Sequence, residues 1–393
     1  MGQFRFLTAG ESHGKGLVAV IEGMVAGLPL SEDYIAQDLK RRQLSYGRSA
    51  RMEIEQDKAE IISGVRHGLT TGSPISLLIW NRVWEDWQDI MNVAPVDKEI
   101  SPITSPRPGH ADLAGATKYG TEDIRPILER ASARETAARV AIGAIARRFL
   151  GEFDIAIRSH TVSIGKHPSK QPKLIDWKQV EKSPVRCADA TAEKAMMAAI
   201  DEAKTEGDTL GGVFEVIATG VPVGLGSHVH WDRRLDSQIA QAVMSINAVK
   251  GVEIGAGFTI ADVKGSQAQD IIEPSSEGAT PSWHRTTNRA GGIEGGISNG
   301  QPIMVRAAVK PIATLGKPLS SIDLRSGKKT EAHYERSDIC VVPAAGVIGE
   351  AMLAIVLTDA MLEKFGGDHL NETLANYKNY ISSAYSRNRY AKS

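Results

Sequence analysis

Two rhythms of hydrophobic and polar positions run along this chain. β-Branched and apolar residues alternate or cluster over residues 4–8, 17–21, 75–79, 155–162, 213–219 and 303–309, and each run predicts a β-strand. A helical rhythm occupies 31–42, where acids open the segment, Ile35 and Leu39 stand four apart and three basic residues close it, so apolar stripe and macrodipole agree. Residues 191–206 are amphipathic and stop at Gly207. Residues 133–150 and 345–365 are apolar around most of the helical circumference, which predicts two helices buried between layers. Strands and helices mix without strict alternation, so the expected class is α+β layers rather than a doubly wound parallel sheet.

Composition narrows this picture. The 393 residues are 42% hydrophobic but only 5% aromatic, so the core must be built from aliphatic and small side chains whose backbones approach closely. The 38 glycines are spread along the chain and mark no linker. One domain over 1–370 is expected, followed by a polar, partly mobile tail over 371–393. The 46 basic and 47 acidic residues leave a net charge of −1, so no global field favours nucleic acid or an acidic membrane, and any handling of anions must be local. The longest apolar stretch, 347–362, is broken by Glu350 and Asp359, which argues against a membrane span, and the N-terminus lacks a signal-like apolar run. Two cysteines, Cys187 and Cys340, cannot form a disulfide framework, and a cytoplasmic protein is expected.

The candidate chemistry lies in short polar motifs. Gly10-Glu11-Ser12-His13-Gly14 and Arg107-Pro108-Gly109-His110-Ala111-Asp112 set a histidine among glycines, where backbone can approach a ligand and imidazole can exchange a proton near neutral pH. Neither histidine belongs to a metal-ligand spacing, so no metal is expected. Ser132 and Glu135 form an S-x-x-E pattern that predicts a capping box with Ser132 as N-cap, flanked by Arg130 and Arg134. A capping box alone marks only a helix start. Lys40, Arg41, Arg42, Arg48 and Arg51 gather without an acid between them, which suits a two-point clamp on carboxylate or phosphate and equally suits a solvated face. Gly14 to Ala19 matches G-x-G-x-x-A, but the residues after it read as strand, so a dinucleotide fold is not indicated. The dense glycines of 291–300 lead into Lys310-Pro311-Ile312-Ala313-Thr314, and Glu335-Arg336-Ser337-Asp338 follows. A nicotinamide-dependent flavin oxidoreductase and a noncatalytic polyanion-binding module remain as competing classes.

Taken in order, these motifs resemble those of the chorismate synthases. GESHG, the R-Q-x-x-Y-G-R-x-x-R run from Arg42 to Arg51, SGVRHGLTTGSPI from Ser63, RPGHAD from Arg107 and ERASARETAARVAIGA from Glu129 carry the resemblance, with SINAVKGVEIG from Ser245, GGIEGGISNGQPI from Gly291, KPIAT from Lys310 and ERSD from Glu335. It covers about residues 1–365. It implies a sandwich of antiparallel sheets and helices in β-α-β layers, assembled as a homotetramer. It also implies anti-1,4-elimination of phosphate from 5-enolpyruvylshikimate 3-phosphate to give chorismate, with reduced FMN and no net redox change. By the same resemblance, Ser12, Arg42, Arg48, Arg51, Arg107, Arg134 and Arg336 hold substrate. Arg130, Ala131, Ser132, Asn247, Ala248, Gly295, Lys310, Pro311, Ile312, Ala313, Thr314 and Arg336 hold FMN. His13 protonates the departing phosphate, His110 keeps the reduced flavin in its productive ionic form, and Asp338 assists proton removal through flavin N5. Ala131 replaces a serine of many relatives, which removes a hydroxyl and leaves the helix-end amides. The resemblance leaves two routes for flavin reduction: NADPH as an indirect reductant through an external flavin reductase, or reduction by the enzyme itself with NADPH, as in some relatives.

Overall fold

The computed structural model describes residues 4–48, 56–170, 174–276, 279 and 281–384. Its first sheet is antiparallel, with strands in the order Arg5–Ala9, Gly16–Glu22, Ile75–Trp80 and Glu60–Ser63. Alternation explains its orientation: Leu17, Ala19, Ile21, Ile75, Leu77 and Ile79 turn inward and are buried, while Leu7, Val18, Val20 and Trp80 stay exposed on the other face. The second sheet is also antiparallel, in the order Val249–Ile254, Ile303–Val309, Gly212–Thr219, Ala156–Ile164 and His167–Pro168. Ile157, Phe214, Val216, Ala218, Ile303, Val305 and Ala307 form its buried face.

Helices fill the space between the sheets. Thr136–Gly151 packs on the first sheet and Val342–Phe365 on the second, and the two helices pack on each other. Small residues set that crossing: a Cβ on Gly143 would lie 2.2 Å from the Ala351 Cβ. On the opposite side of the long helix, Gly349 faces the Phe214 ring and Gly346 faces Ser159. The low aromatic content therefore appears as close backbone approach at the centre. The helix Val342–Phe365 is long and apolar enough to cross a membrane, yet 89% of its most apolar window is buried inside the protein, so it is a core helix.

That helix carries Glu350, almost wholly buried. Arg41 grips it with two bonds of 2.7 and 2.8 Å, Ser159 Oγ donates at 2.7 Å, and Arg147 and Arg186 lie at 3.2 and 3.3 Å. Burial alone would raise the pKa of Glu350, but Arg41, Arg147 and Arg186 outweigh it and hold the carboxyl down at about 2. Arg41 closes the helix Glu32–Gln43, so this network ties that helix end to the core.

The structure revises three expectations. Several strands lay outside the predicted set, the longest of them in the two main sheets: Glu60–Ser63 is a short, mostly exposed edge strand with a bulge, and Val249–Ile254 contains Gly251 and lacks clean alternation. The polar tail expected from Asn371 is instead helical over Leu370–Ala384. Its overall polarity hides a stripe in which Leu370 and Thr373 are buried and the Tyr377 ring sits 5.1 Å from Phe153 and 5.4 Å from Phe365. The capping box also fails to form. Ser132 Oγ accepts from Arg134 N at 3.3 Å and caps a 3-10 turn, Ala133–Glu135, before the helix begins at Thr136. Glu135 turns away to Thr8 Oγ1 and Arg139 rather than back to its cap.

Gly143→Ala should lower stability by about 1–3 kcal/mol, because the crossing helices must separate to admit a methyl group; an unchanged urea midpoint would contradict that crossing. Glu350→Gln should cost on the order of 3 kcal/mol at pH 7. The folded-state pKa of Glu350 lies below its ordinary value of 4.5, so its stabilising effect is complete above that pH and is lost as pH falls toward about 2. Urea titrations should therefore show a smaller loss of stability between pH 5 and 3, roughly, in the glutamine variant than in the parent.

Candidate active site

Loops and element ends from eight stretches of the chain meet around one cavity of about 610 Å³, within the ordinary size of ligand pockets. The register pairs Val249 with Val309, so the Asn247–Ala248 turn and the segment after Val309 emerge at the same end of the second sheet. The 10–14 loop joins the first two strands. It is tied to the helix region by Asn81, whose amide donates to Glu11 O and Gly14 O and whose Oδ1 accepts from Arg134 Nε at 2.9 Å.

The substrate candidates Ser12, Arg42, Arg48, Arg107, Arg134 and Arg336 all line this cavity. So do the cofactor candidates Ala131, Ser132, Asn247, Ala248, Lys310, Pro311, Ile312, Ala313 and Thr314, and the catalytic candidates His13, His110 and Asp338. Arg130 and Gly295 do not line it. Arg130 follows Glu129 by one helical position and therefore points elsewhere, donating to Gly10 O and Thr8 O at 3.0 and 2.9 Å. Gly295 sits in the tight connection between Ile293–Glu294 and Ile297–Ser298, at φ +58°. Arg51 falls outside the described residues.

Charge is strongly unbalanced here. Among the described residues, Arg42, Arg48, Arg107, Arg134, Lys310 and Arg336 face the cavity, whereas its only lining carboxylates are Glu335 and Asp338. Behind the wall, Asp57 reaches Arg134 at 2.6 Å and Arg42 at 3.3 Å. Arg42 also donates to Thr136 Oγ1 at 3.0 Å and Ala133 O at 3.1 Å. Burial pulls its pKa down to about 9; Asp57 opposes the shift, and the like charges of Arg48 and Arg134 add to it. Arg48 pairs with Asp338 at 3.2 Å, and Arg107 holds Asp112 at 2.8 Å and Thr314 Oγ1 at 3.0 Å. Glu335 is pulled up by burial, but His333 and the charges of Arg125, His13 and Arg107 prevail and bring it to about 2.

Both histidines have buried carboxylate partners. His13 Nδ1 lies 2.9 Å from Glu129 Oε1, and its ring stacks on Trp87 with centroids 3.9 Å apart. His110 Nδ1 lies 2.5 Å from Asp112 Oδ1. Burial would raise Asp112, yet the hydrogen bonds of His110 and Arg107 keep it well below the usual carboxylate range. A carboxylate only accepts, so toward Glu129 the His13 Nδ1 is the donor, whereas His110 Nδ1 stands between the acceptor Asp112 and the donor Arg107 Nη2 at 3.0 Å. Ala248 adopts φ +68°, and its carbonyl accepts from Lys310 N at 2.9 Å. A non-glycine residue held there is strained, as is common at ligand sites.

Sequence reasoning missed Trp87, Asp57, Asn81 and Glu129. Glu129 lies inside a recognisable motif, but its partner His13 is 116 residues away, and nothing local signals the pairing. Asp57 and Trp87 belong to no motif.

Comparison with known proteins identifies the family. The chorismate synthase family model matches residues 4–362. The chorismate synthase of Moorella thermoacetica is 55% identical over 96% of this chain and 99% of its own, and that of Streptomyces avermitilis 53% identical over 98% and 99%. A crystal structure of chorismate synthase superimposes with a TM-score of 0.77 at 45% identity, covering 96% of this chain and 97% of that one. The chain belongs to the chorismate synthase family: it is a lyase that eliminates phosphate from 5-enolpyruvylshikimate 3-phosphate to give chorismate in the shikimate pathway, with a requirement for reduced FMN.

Proposed function

We propose that the arginine-lined cavity holds 5-enolpyruvylshikimate 3-phosphate against reduced FMN and that its two histidines and Asp338 manage the protons of the elimination. The observation that carries this reading is the excess of cations over carboxylates on the wall. The substrate brings a phosphate and two carboxylates, about four negative charges, and burying them without partners would be prohibitive. Arg42, Arg48, Arg107, Arg134 and Arg336 offset that cost, with Ser12 as a neutral donor; Arg51 is assigned to the same group by resemblance.

The opposite wall suits a flavin. Asn247 Oδ1 is buried and has no hydrogen-bond partner among the described residues, although its amide donates to Ala131 O at 3.0 Å. Such an orphaned acceptor fits a ring N–H. Ala131, Ser132, Ala248 and the run from Lys310 to Thr314 offer backbone and small side chains beside it, and Arg336 adds a cation. Arg130 and Gly295, assigned to the flavin by resemblance, would act from outside the cavity described here. When bound, reduced FMN supplies electron density transiently to the breaking allylic C–O bond. His13 protonates the departing phosphate, Asp338 receives the proton lost from C6, and His110 holds a proton on the cofactor side of the cavity.

The elimination consumes no electrons, so one reduction can serve many turnovers. An external reductase drawing on NADPH therefore suffices to supply the flavin. The exposed apolar face of the first sheet, where Leu7 stands opposite Val20 and Ala9 opposite Val18, suits burial in a homotetramer. Cys187 and Cys340 are buried and unpaired, in keeping with a reducing cytoplasm.

An anaerobic assay of chorismate and phosphate release with dithionite-reduced FMN tests the reading as a whole; steady NADPH consumption coupled to turnover would favour an oxidoreductase instead. In that assay His110→Ala should cut turnover by about two orders of magnitude or more, and near-normal turnover would remove His110 from the mechanism. Arg48→Ala should raise the substrate KM far more than it weakens FMN binding measured by fluorescence quenching. Equal weakening of both would place Arg48 on the wrong ligand.

A further inference from the structure

We infer that Glu129 is a positioning residue for the elimination: it fixes the ring orientation and tautomer of His13, so that the proton delivered to the departing phosphate comes from Nε2. The inference rests on His13 being the acid. Glu129 grips the Ser12-His13 turn at three points. Its carbonyl accepts from Ser12 N at 3.2 Å, its Oε2 accepts from His13 N at 2.7 Å, and its carboxylate meets His13 Nδ1 at 2.9 and 3.1 Å.

Its side chain has no solvent exposure, so the carboxylate cannot swing out and exchange partners with water. Trp87 stacks on the imidazole at an interplanar angle of 20°, which removes the remaining freedom of the ring to tilt. The charged groups around the pair come from every neighbouring element. Arg125, on the same helix as Glu129, lies 3.4 Å from Oε1 and 5.2 Å from the Trp87 ring centroid, and it also binds Glu335 at 2.8 Å. Glu335 lies within electrostatic reach of His13 and Arg107, and Glu11 belongs to the histidine's own loop.

The chemistry follows from donor counting. The ionised carboxylate offers only acceptors to its donors, the His13 backbone N–H, the ring Nδ1–H and Arg125 Nη1. Nδ1 thus keeps its proton whether the ring is cationic or neutral, and the N–H bond that breaks is at Nε2. The phosphate oxygen gains that proton as the allylic C–O bond breaks, leaving a neutral Nδ1–H imidazole. A buried carboxylate that holds an imidazole in one tautomer plays the same part in the orienting pairs of other acid–base sites.

Glu129→Gln preserves shape but replaces one acceptor with an NH2 donor. The full-length variant should lose about tenfold to hundredfold in kcat, with the KM for 5-enolpyruvylshikimate 3-phosphate within about twofold of the parent value, and Glu129→Asp should recover part of the loss. Nitrogen NMR of the ligand-free protein supplies a readout independent of activity: the neutral His13 ring should carry its proton on Nδ1 in the parent and on Nε2 in Glu129→Gln. A parent ring protonated on Nε2, or a glutamine variant with unchanged kcat, would overturn the inference. His13→Ala separates the two levels, since full activity there would sink the assignment of the acid itself, whereas an inactive His13→Ala beside a fully active Glu129→Gln would sink only the role of Glu129.

Discussion

Like charges gathered in a poorly hydrated space are the constraint on which this molecule turns. Arg42 and Arg134 are almost wholly buried, and Asp57 bridges both guanidinium groups. Such a cluster needs acceptors for its N–H groups, and the structure recruits Thr136, Ala133 and Asn81 for that purpose. The cluster still leaves a net positive wall. An anionic ligand relieves the repulsion, so part of what stabilises the complex is strain already present in the protein.

Holding those groups still is the work of the interior. Arg41 and Arg42 are consecutive, and the helix sends them to different places: Arg41 to Glu350 in the core, Arg42 to Asp57 beside the cavity. The Glu350 network thus anchors the residue next to an arginine that lines the cavity. Close packing of Gly143 on Ala351 fixes the helix preceded by the 3-10 turn that presents Arg134, and the helix whose start follows Asp338. Rigid helices at the centre and polar loops at one end divide the labour between stability and binding.

Much of this architecture was legible in the amino-acid order because period and burial agree. The inward residues of 17–21, 75–79 and 303–309 announce strands, and the all-round apolar surfaces of the two central helices announce layers on both sides. What stayed hidden involved either weak local pattern or long sequence separation. The Leu370–Ala384 helix is polar on average, and its buried stripe matters only once Phe153 and Phe365 stand beside it. The Ser132 pattern predicts a capping box by spacing alone, but Thr8 and Arg139 compete successfully for Glu135. At the cavity, histidines and arginines stood out through their motifs, whereas the acids that orient them did so only where partner and motif coincide, as for His110 and Asp112.

The arrangement of those acids also bears on proton economy. The elimination releases one proton from carbon and delivers one to phosphate, so the site needs transfer in both directions without net uptake. Two imidazoles, each fixed at Nδ1 by a carboxylate with no solvent exposure, can keep distinct tasks because neither can readily turn to exchange roles. Asp338 differs from both supporting acids: it lines the cavity, is partly exposed and pairs with Arg48 rather than with a histidine. On the proposed assignment of Arg48 to substrate, an anion bound there would compete for that guanidinium and loosen its hold on Asp338. A carboxylate that becomes a better acceptor only once the arginine is engaged would couple proton removal to occupancy of the site.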